Sequence, residues 1–166
     1  MTTPFLDISG NPIPHGNILG SGSSALVLLQ GDAAVKFPLK CLWTDIYKVQ
    51  AHTQKPKYEQ EVCRRLEDSP YNSRSNGVIR CLRMFDDSTH LGYMPNSDLQ
   101  SYLTKFRPSL NLQFSWCVEI TRTITFVHDR CLLVTDIASC NFLLDSDYRS
   151  NFVISQRYLF FHWGLI

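Results

Sequence analysis

The sequence predicts an α+β fold: a five-stranded antiparallel sheet with one covering helix, followed by a helical segment that carries a polar loop. Three observations predict it. Short β-rich apolar runs alternate with turn residues over residues 13–38 and again over 78–94. Between these blocks, residues 55–68 (KPKYEQEVCRRLED) place Tyr58, Val62 and Leu66 on one helical stripe. Beyond them, residues 111–128 repeat Trp116, Ile120, Ile124 and Val127 at helical spacing, with Arg122 on the far side; such a stripe is a core face.

Size and composition bound the function. A chain of 166 residues with 44% hydrophobic content is long enough for one domain with a proper core and is not of the disordered class. A formal charge of +1 gives no basic field, which sets nucleic acid aside as a partner. The six cysteines (Cys41, Cys63, Cys81, Cys117, Cys131 and Cys140) stand singly, without a C-x-x-C pair, and are read as buried thiols in a reducing compartment. The start, MTTPFLDISG, lacks a basic stretch followed by an apolar one, so no secretory signal is visible. The most apolar stretch, 152–166, is short and interrupted by Gln156, Arg157 and His162, which argues against a membrane span. The expected setting is intracellular and cytoplasmic, with no membrane partner.

Taken in order, residues 1–12 form a polar lead-in with Pro4, Gly10 and Pro12. The apolar runs of 13–30 flank a glycine turn, Leu19-Gly20-Ser21-Gly22-Ser23-Ser24-Ala25-Leu26-Val27, where glycine lets a backbone approach a ligand and turn its N–H groups toward anionic oxygens. Gly31-Asp32 joins 26–30 to 33–38 as a tight hairpin. Lys36 lies in that strand among apolar neighbours, and a partly buried ammonium needs a counter-charge. Glu59 borders the buried stripe of the following helix, where a carboxylate could reach Lys36; Glu61 is the alternative, read as facing solvent, where it can pair with Arg64 or Arg65. Residues 69–77 (SPYNSRSNG) read as a mobile insertion. Strands follow at 78–85 and 89–94, joined through Asp86-Asp87. A helix N-cap at Ser97 or Asp98 opens a short helix over 98–106, ended by Pro108. The long helix of 111–128 leads into FVHDRCLLVTDIASCNFLL (126–144), in which Asp136 and Asn141, with four residues between them, precede an apolar run. That is the pattern of a loop presenting polar groups from a packed base.

In this order the segments resemble a eukaryotic protein kinase over about residues 13–147. Gly20, Gly22 and Val27 are in register with the family's G-x-G-x-x-G-x-V loop, with Ala25 at the third glycine; Ala33-Ala34-Val35-Lys36 resembles its V-A-I-K strand. The resemblance implies a kinase-like fold with a small lobe at 13–94, a hinge and partial large lobe with the catalytic loop at 95–149, and an atypical tail at 150–166. It further implies Lys36 paired with Glu59 and set on the phosphates of ATP, Asp136 as catalytic base, and Asn141 as a ligand of Mg2+. Leu91-Gly92-Tyr93-Met94-Pro95 is similar to the hinge that receives adenine. Backbone groups of Gly92 and Met94 would bind the base, Leu91 would limit the back pocket and Asp98 would face the ribose. Val134-Thr135 stands where the family has His-Arg.

The likeness stops after Arg149. Val153-Ile154-Ser155-Gln156 occupies the place of Asp-Phe-Gly, and no carboxylate follows Asp147. The pattern is that of a kinase chain cut short before that motif, in which transfer of the ATP γ-phosphate to a protein Ser/Thr hydroxyl is the family activity and turnover by this form is not expected. A pseudokinase or interaction module, and a small-molecule phosphotransferase, are the alternatives.

Overall fold

The computed structural model describes residues 5–6, 11–22, 25–38, 46–67, 77–153 and 158–160, with the side chains of 15, 46–56 and 158–160 left aside. The chain divides into two compact units, residues 1–60 with 80–93 and residues 61–79 with 94–166.

The first unit is built on a five-stranded sheet. Strands β1 (Ile18–Ser21), β2 (Ala25–Gln30) and β3 (Ala33–Pro38) form an antiparallel meander, and Gly31, at φ 63°, supplies the left-handed residue of the predicted hairpin turn. Helix α1 (Ile46–Glu67) follows, then β4 (Cys81–Met84) and β5 (Thr89–Gly92). The sheet order is β1-β2-β3-β5-β4, so β3 is central. Alternation in β2 sends Leu26 and Leu28 to one face, where they form a core with Ile13, Phe5, Ile18 and Phe37.

Three boundaries differ by two residues or more from the sequence expectation, one being the strand expected over 89–94, which ends at Gly92. Helix α1 begins at Ile46, nine residues before the expected start at 55, and carries Pro56 inside it. Proline is most at home in a first turn, which is why the pattern suggests a start there. The strand expected over 78–85 is shorter, because residues 77–79 pair elsewhere. Val78 bridges Phe152 in parallel, Ile79 N donates to Phe152 O (3.0 Å), and Phe152 N donates to Gly77 O (2.6 Å). That pairing is long-range and leaves no periodic trace. Of the expected insertion at 69–77, all but Gly77 lies outside the described residues.

The second unit is organised by two helices. Helix α2 (Leu99–Lys105) is capped by Asp98 and α3 (Leu110–His128) by Ser109, whose side chains accept from the backbone N–H groups of Ser101 and Leu112. Of the expected stripe of α3, Trp116 and Val127 are buried and Ile120 and Ile124 half-buried, with Thr123 buried beside them, and the helix packs against β6 (Leu132–Val134) and against β8 of a hairpin, β7 (Phe142–Leu144) and β8 (Ser150–Phe152). Strand β9 (Tyr158–Phe160) pairs antiparallel with β6, so part of the atypical tail is regular structure. The opposite face of α3 leaves Leu110, Phe114 and Val118 exposed alongside Arg122, so this helix is apolar on both sides. Phe142 and Phe152 stack across the hairpin with ring centroids 4.8 Å apart. Trp116 Nε1 donates to Tyr148 O (2.7 Å), while Glu119 Oε2 accepts from Ser150 N (2.8 Å) and Ser150 Oγ (3.0 Å), pinning the hairpin to α3.

Among the described cysteines only Cys63 is fully buried; Cys117, on the outer side of α3, and Cys140, in a surface turn, are exposed. The expectation of uniformly buried thiols is corrected to that extent, because apolar neighbours in sequence do not fix which side of a helix a residue takes. No helix among the described residues is long and apolar enough to cross a membrane.

Gly77 sits at φ 65°, and a Cβ there would run into the Thr123 side chain. Gly77→Ala is therefore predicted to destabilise by about 2 kcal/mol or more, combining left-handed strain and overpacking. Urea unfolding should show a lowered midpoint at unchanged slope, partly recovered by adding Thr123→Ala.

Candidate functional site

The sheet register gathers several predicted residues in the first unit. Directly opposed residues of antiparallel strands share a face, and the pairs Gly20–Val27, Val27–Lys36 and Lys36–Thr89 line up in one row across β1, β2, β3 and β5. Ala34 and Leu91 form the next pair on the same face, with Leu91 buried. Lys36 Nζ donates to Glu59 Oε1 at 2.7 Å, with side-chain exposures of 16% and 5%. The counter-charge demanded by a lysine among apolar neighbours is thus the helix carboxylate expected. Glu61 is exposed and paired with Arg64 (3.1 Å), as the helix pattern requires.

The glycine turn is open. A Cβ on Gly20 would meet nothing within 4 Å, and one on Gly22 would meet only Ala25 O at 3.8 Å. Neither glycine is at positive φ, so packing and backbone conformation do not demand them; glycine leaves room beside the backbone here, while the Gly22 N–H is donated to Ala25 O at 2.8 Å. Ala25 opens β2 without positive φ, so the departure from a third glycine costs no strain. Ser23 and Ser24 lie outside the described residues.

At the hinge-like segment, Gly92 N donates to Arg80 O (2.9 Å), so this N–H is committed within the sheet. Tyr93 is the last residue of the first unit and Met94, half-buried, lies in the second. Asp98 caps α2: one carboxylate oxygen accepts from Ser101 N (2.8 Å) and the other from Ser101 Oγ (2.6 Å). The carboxylate expected to face a ribose is therefore held by the cap.

In the second unit, β6 delivers the chain to Asp136, a short 3-10 turn (Ser139–Asn141) follows, and β7 leads away. Asn141 Nδ2 donates to both Asp136 O (3.0 Å) and Asp136 Oδ2 (3.2 Å), which ties the two ends of the loop together. Asn141 O accepts from Val153 N (2.9 Å), adding support from beyond the hairpin. Asp145 is turned to its own turn: Oδ1 accepts from Asp147 N and Arg149 N, both at 2.9 Å. Arg130 closes the helix end, donating to Phe126 O (2.9 Å) with its guanidinium 3.5 Å from the Phe126 ring centre. Burial pulls its pKa down against the opposing charge of Asp129, and burial pushes the Tyr58 phenol up; neither move changes a charge near neutral pH.

Among the described residues no group of three or more His, Cys, Asp or Glu could hold a metal ion. Asn141 offers a single neutral oxygen, and magnesium wants carboxylate oxygens.

No protein-family model matches the chain, and no curated protein matches it. One residue absent from the sequence reading stands out in the geometry, Gln60, whose buried carboxamide donates to Phe85 O at 2.7 Å. A glutamine beside a helical stripe carries no pattern that marks it.

Removing one member of the Lys36–Glu59 pair strands a largely buried charge, whereas removing both does not. Glu59→Ala is predicted to cost about 1–3 kcal/mol, discounted for the residual exposure of Lys36. The double replacement Lys36→Met with Glu59→Leu should return to within about 1 kcal/mol of the parent in urea unfolding.

Proposed function

We propose that the chain is an ATP-binding domain of protein kinase-like type, in which the first unit holds the nucleotide phosphates and the second carries the catalytic loop. The observation that carries this reading is the Lys36–Glu59 pair at 2.7 Å on the central strand of the sheet. A lysine so held is fixed in direction and presents its remaining donors to an anion. The row from Gly20 through Val27 to Lys36 supports it, since a glycine with open space at its Cβ position and the lysine lie along one line of the sheet.

In the family reaction the oxygen of a protein Ser/Thr hydroxyl bonds to the γ-phosphorus of ATP, ADP leaves, and the hydroxyl proton passes to the base. Asp136 is the group proposed to orient that hydroxyl and take the proton. Its Oδ2 is steadied by Asn141, and positioning is most of what a base contributes in such a transition state. Asn141 spends its amide group on Asp136, so it is proposed as a loop brace in place of the magnesium ligand that the resemblance implies. Val153-Ile154-Ser155-Gln156 brings no carboxylate where the family has its metal-binding Asp, so nucleotide binding without turnover is the activity proposed for these residues. A binding module for a protein partner is the reading to which failure of nucleotide binding would lead.

ATP at about a hundredfold excess over its Kd is predicted to stabilise the chain by roughly 2.7 kcal/mol, raising Tm by about 5–10 °C. The rise should persist in EDTA and vanish in Lys36→Met. A response seen only with magnesium would contradict the metal argument, and a flat response to every nucleotide would sink the ATP-site reading.

A further inference from the structure

Glu59 and Gln60 follow one another in α1, so their side chains leave the helix about 100° apart and reach different parts of the sheet. Glu59 reaches Lys36. Gln60, only 6% exposed, donates from Nε2 to Phe85 O (2.7 Å) and lies 3.3 Å from both Ser88 O and Thr89 Oγ1. Phe85 and Ser88 bracket the turn between β4 and β5 and bond to each other through their backbones (2.9 Å and 3.4 Å). Thr89 is the residue directly opposite Lys36 in the β3–β5 ladder. Successive residues of one helix therefore grip opposed residues of adjacent strands.

We propose that Gln60 is a positioning residue that sets the rotation and axial level of α1 at which Glu59 meets Lys36. The ion pair cannot do this alone, because lysine and glutamate side chains are long and keep touching over a range of helix settings. A buried carboxamide is less tolerant. Rotating or sliding α1 away from the turn would take the N–H groups of the buried carboxamide from Phe85 O, Ser88 O and Thr89 Oγ1, and would leave the Phe85 carbonyl with only the long bond from Ser88 N (3.4 Å). Gln60 thereby makes the assembled pair the resting state of the first unit. The consequence for ligand binding, that loss of Gln60 weakens ATP, rests on the nucleotide reading above; the clamp itself does not.

The test is acetylation of the full chain with acetic anhydride, read by mass spectrometry as the labelling rate of Lys36 relative to exposed Lys105. Gln60→Leu should raise this ratio by about fivefold, the equilibrium equivalent of losing one ordinary hydrogen bond, toward the value for Glu59→Gln. Ile13→Ala, a core truncation on the other face of the sheet, serves as the control for mere destabilisation and should stay within about twofold of the parent while folded. A folded Gln60→Leu chain with the parental ratio overturns the proposal. Should Gln60→Leu not fold, Gln60→Asn, which withdraws the amide by one methylene, is read in the same way, and an unchanged ratio there overturns it too. If the parent binds no ATP but its labelling responds to Gln60→Leu, the clamp stands and the nucleotide reading falls. If ATP binds and labelling ignores Gln60→Leu, the reverse holds.

Discussion

A lysine in the middle of a sheet must have its charge answered, and in this chain the answer comes from a helix. Lys36 stands on β3, with strands on both sides, and Glu59 meets it at 2.7 Å with little exposure of either side chain. A pair of this kind contributes little net stability, since desolvation offsets most of the attraction. Its effect is on placement: a setting of α1 that leaves either charge alone is excluded. Gln60 sharpens that placement by adding buried hydrogen bonds with a narrower geometric tolerance.

The second unit solves a different problem, that of holding an exposed polar loop still. The base of the loop is α3, β6 and the β7–β8 hairpin. Glu119 and Trp116 on α3 fasten the hairpin through Ser150 and the Tyr148 carbonyl, and Asn141 closes the loop onto Asp136. Side chains of ordinary type become specific here through the number of backbone groups they satisfy. Asp98 and Asp145 show the converse. Each is a carboxylate in a region where a ligand contact was conceivable, and each is committed to its own cap or turn.

Much of this was legible in the sequence where the signal was local. The α+β class, the five strands, the hairpin at Gly31-Asp32 and the inward stripe of α3 follow from periodicity and turn chemistry. The choice of Glu59 over Glu61 followed from which of them borders the stripe of Val62 and Leu66, and the exposed Glu61–Arg64 pair agrees. What stayed hidden was long-range or unmarked. Nothing in the spacing announces that residues 77–79 pair with Phe152, that Gly77 must stay bare beside Thr123, or that a glutamine next to Glu59 anchors the helix. The extra turns of α1 before Lys55 were masked by Pro56, which reads as a beginning. Asp98 was open to two readings, and hydrogen-bond geometry favours the cap.

The central claim, a proposal, is that the Gly20–Val27–Lys36 row of the sheet, with Lys36 held by Glu59 of α1, is a phosphate-holding site. The most direct measurement is a titration of the isotope-labelled chain with ATP, followed by amide and lysine side-chain NMR. The account predicts saturable shifts at the backbone amides of Gly20 and Gly22 and at the Lys36 ammonium, all following one binding curve. Shifts confined to other surfaces, or none at millimolar ATP, would contradict it.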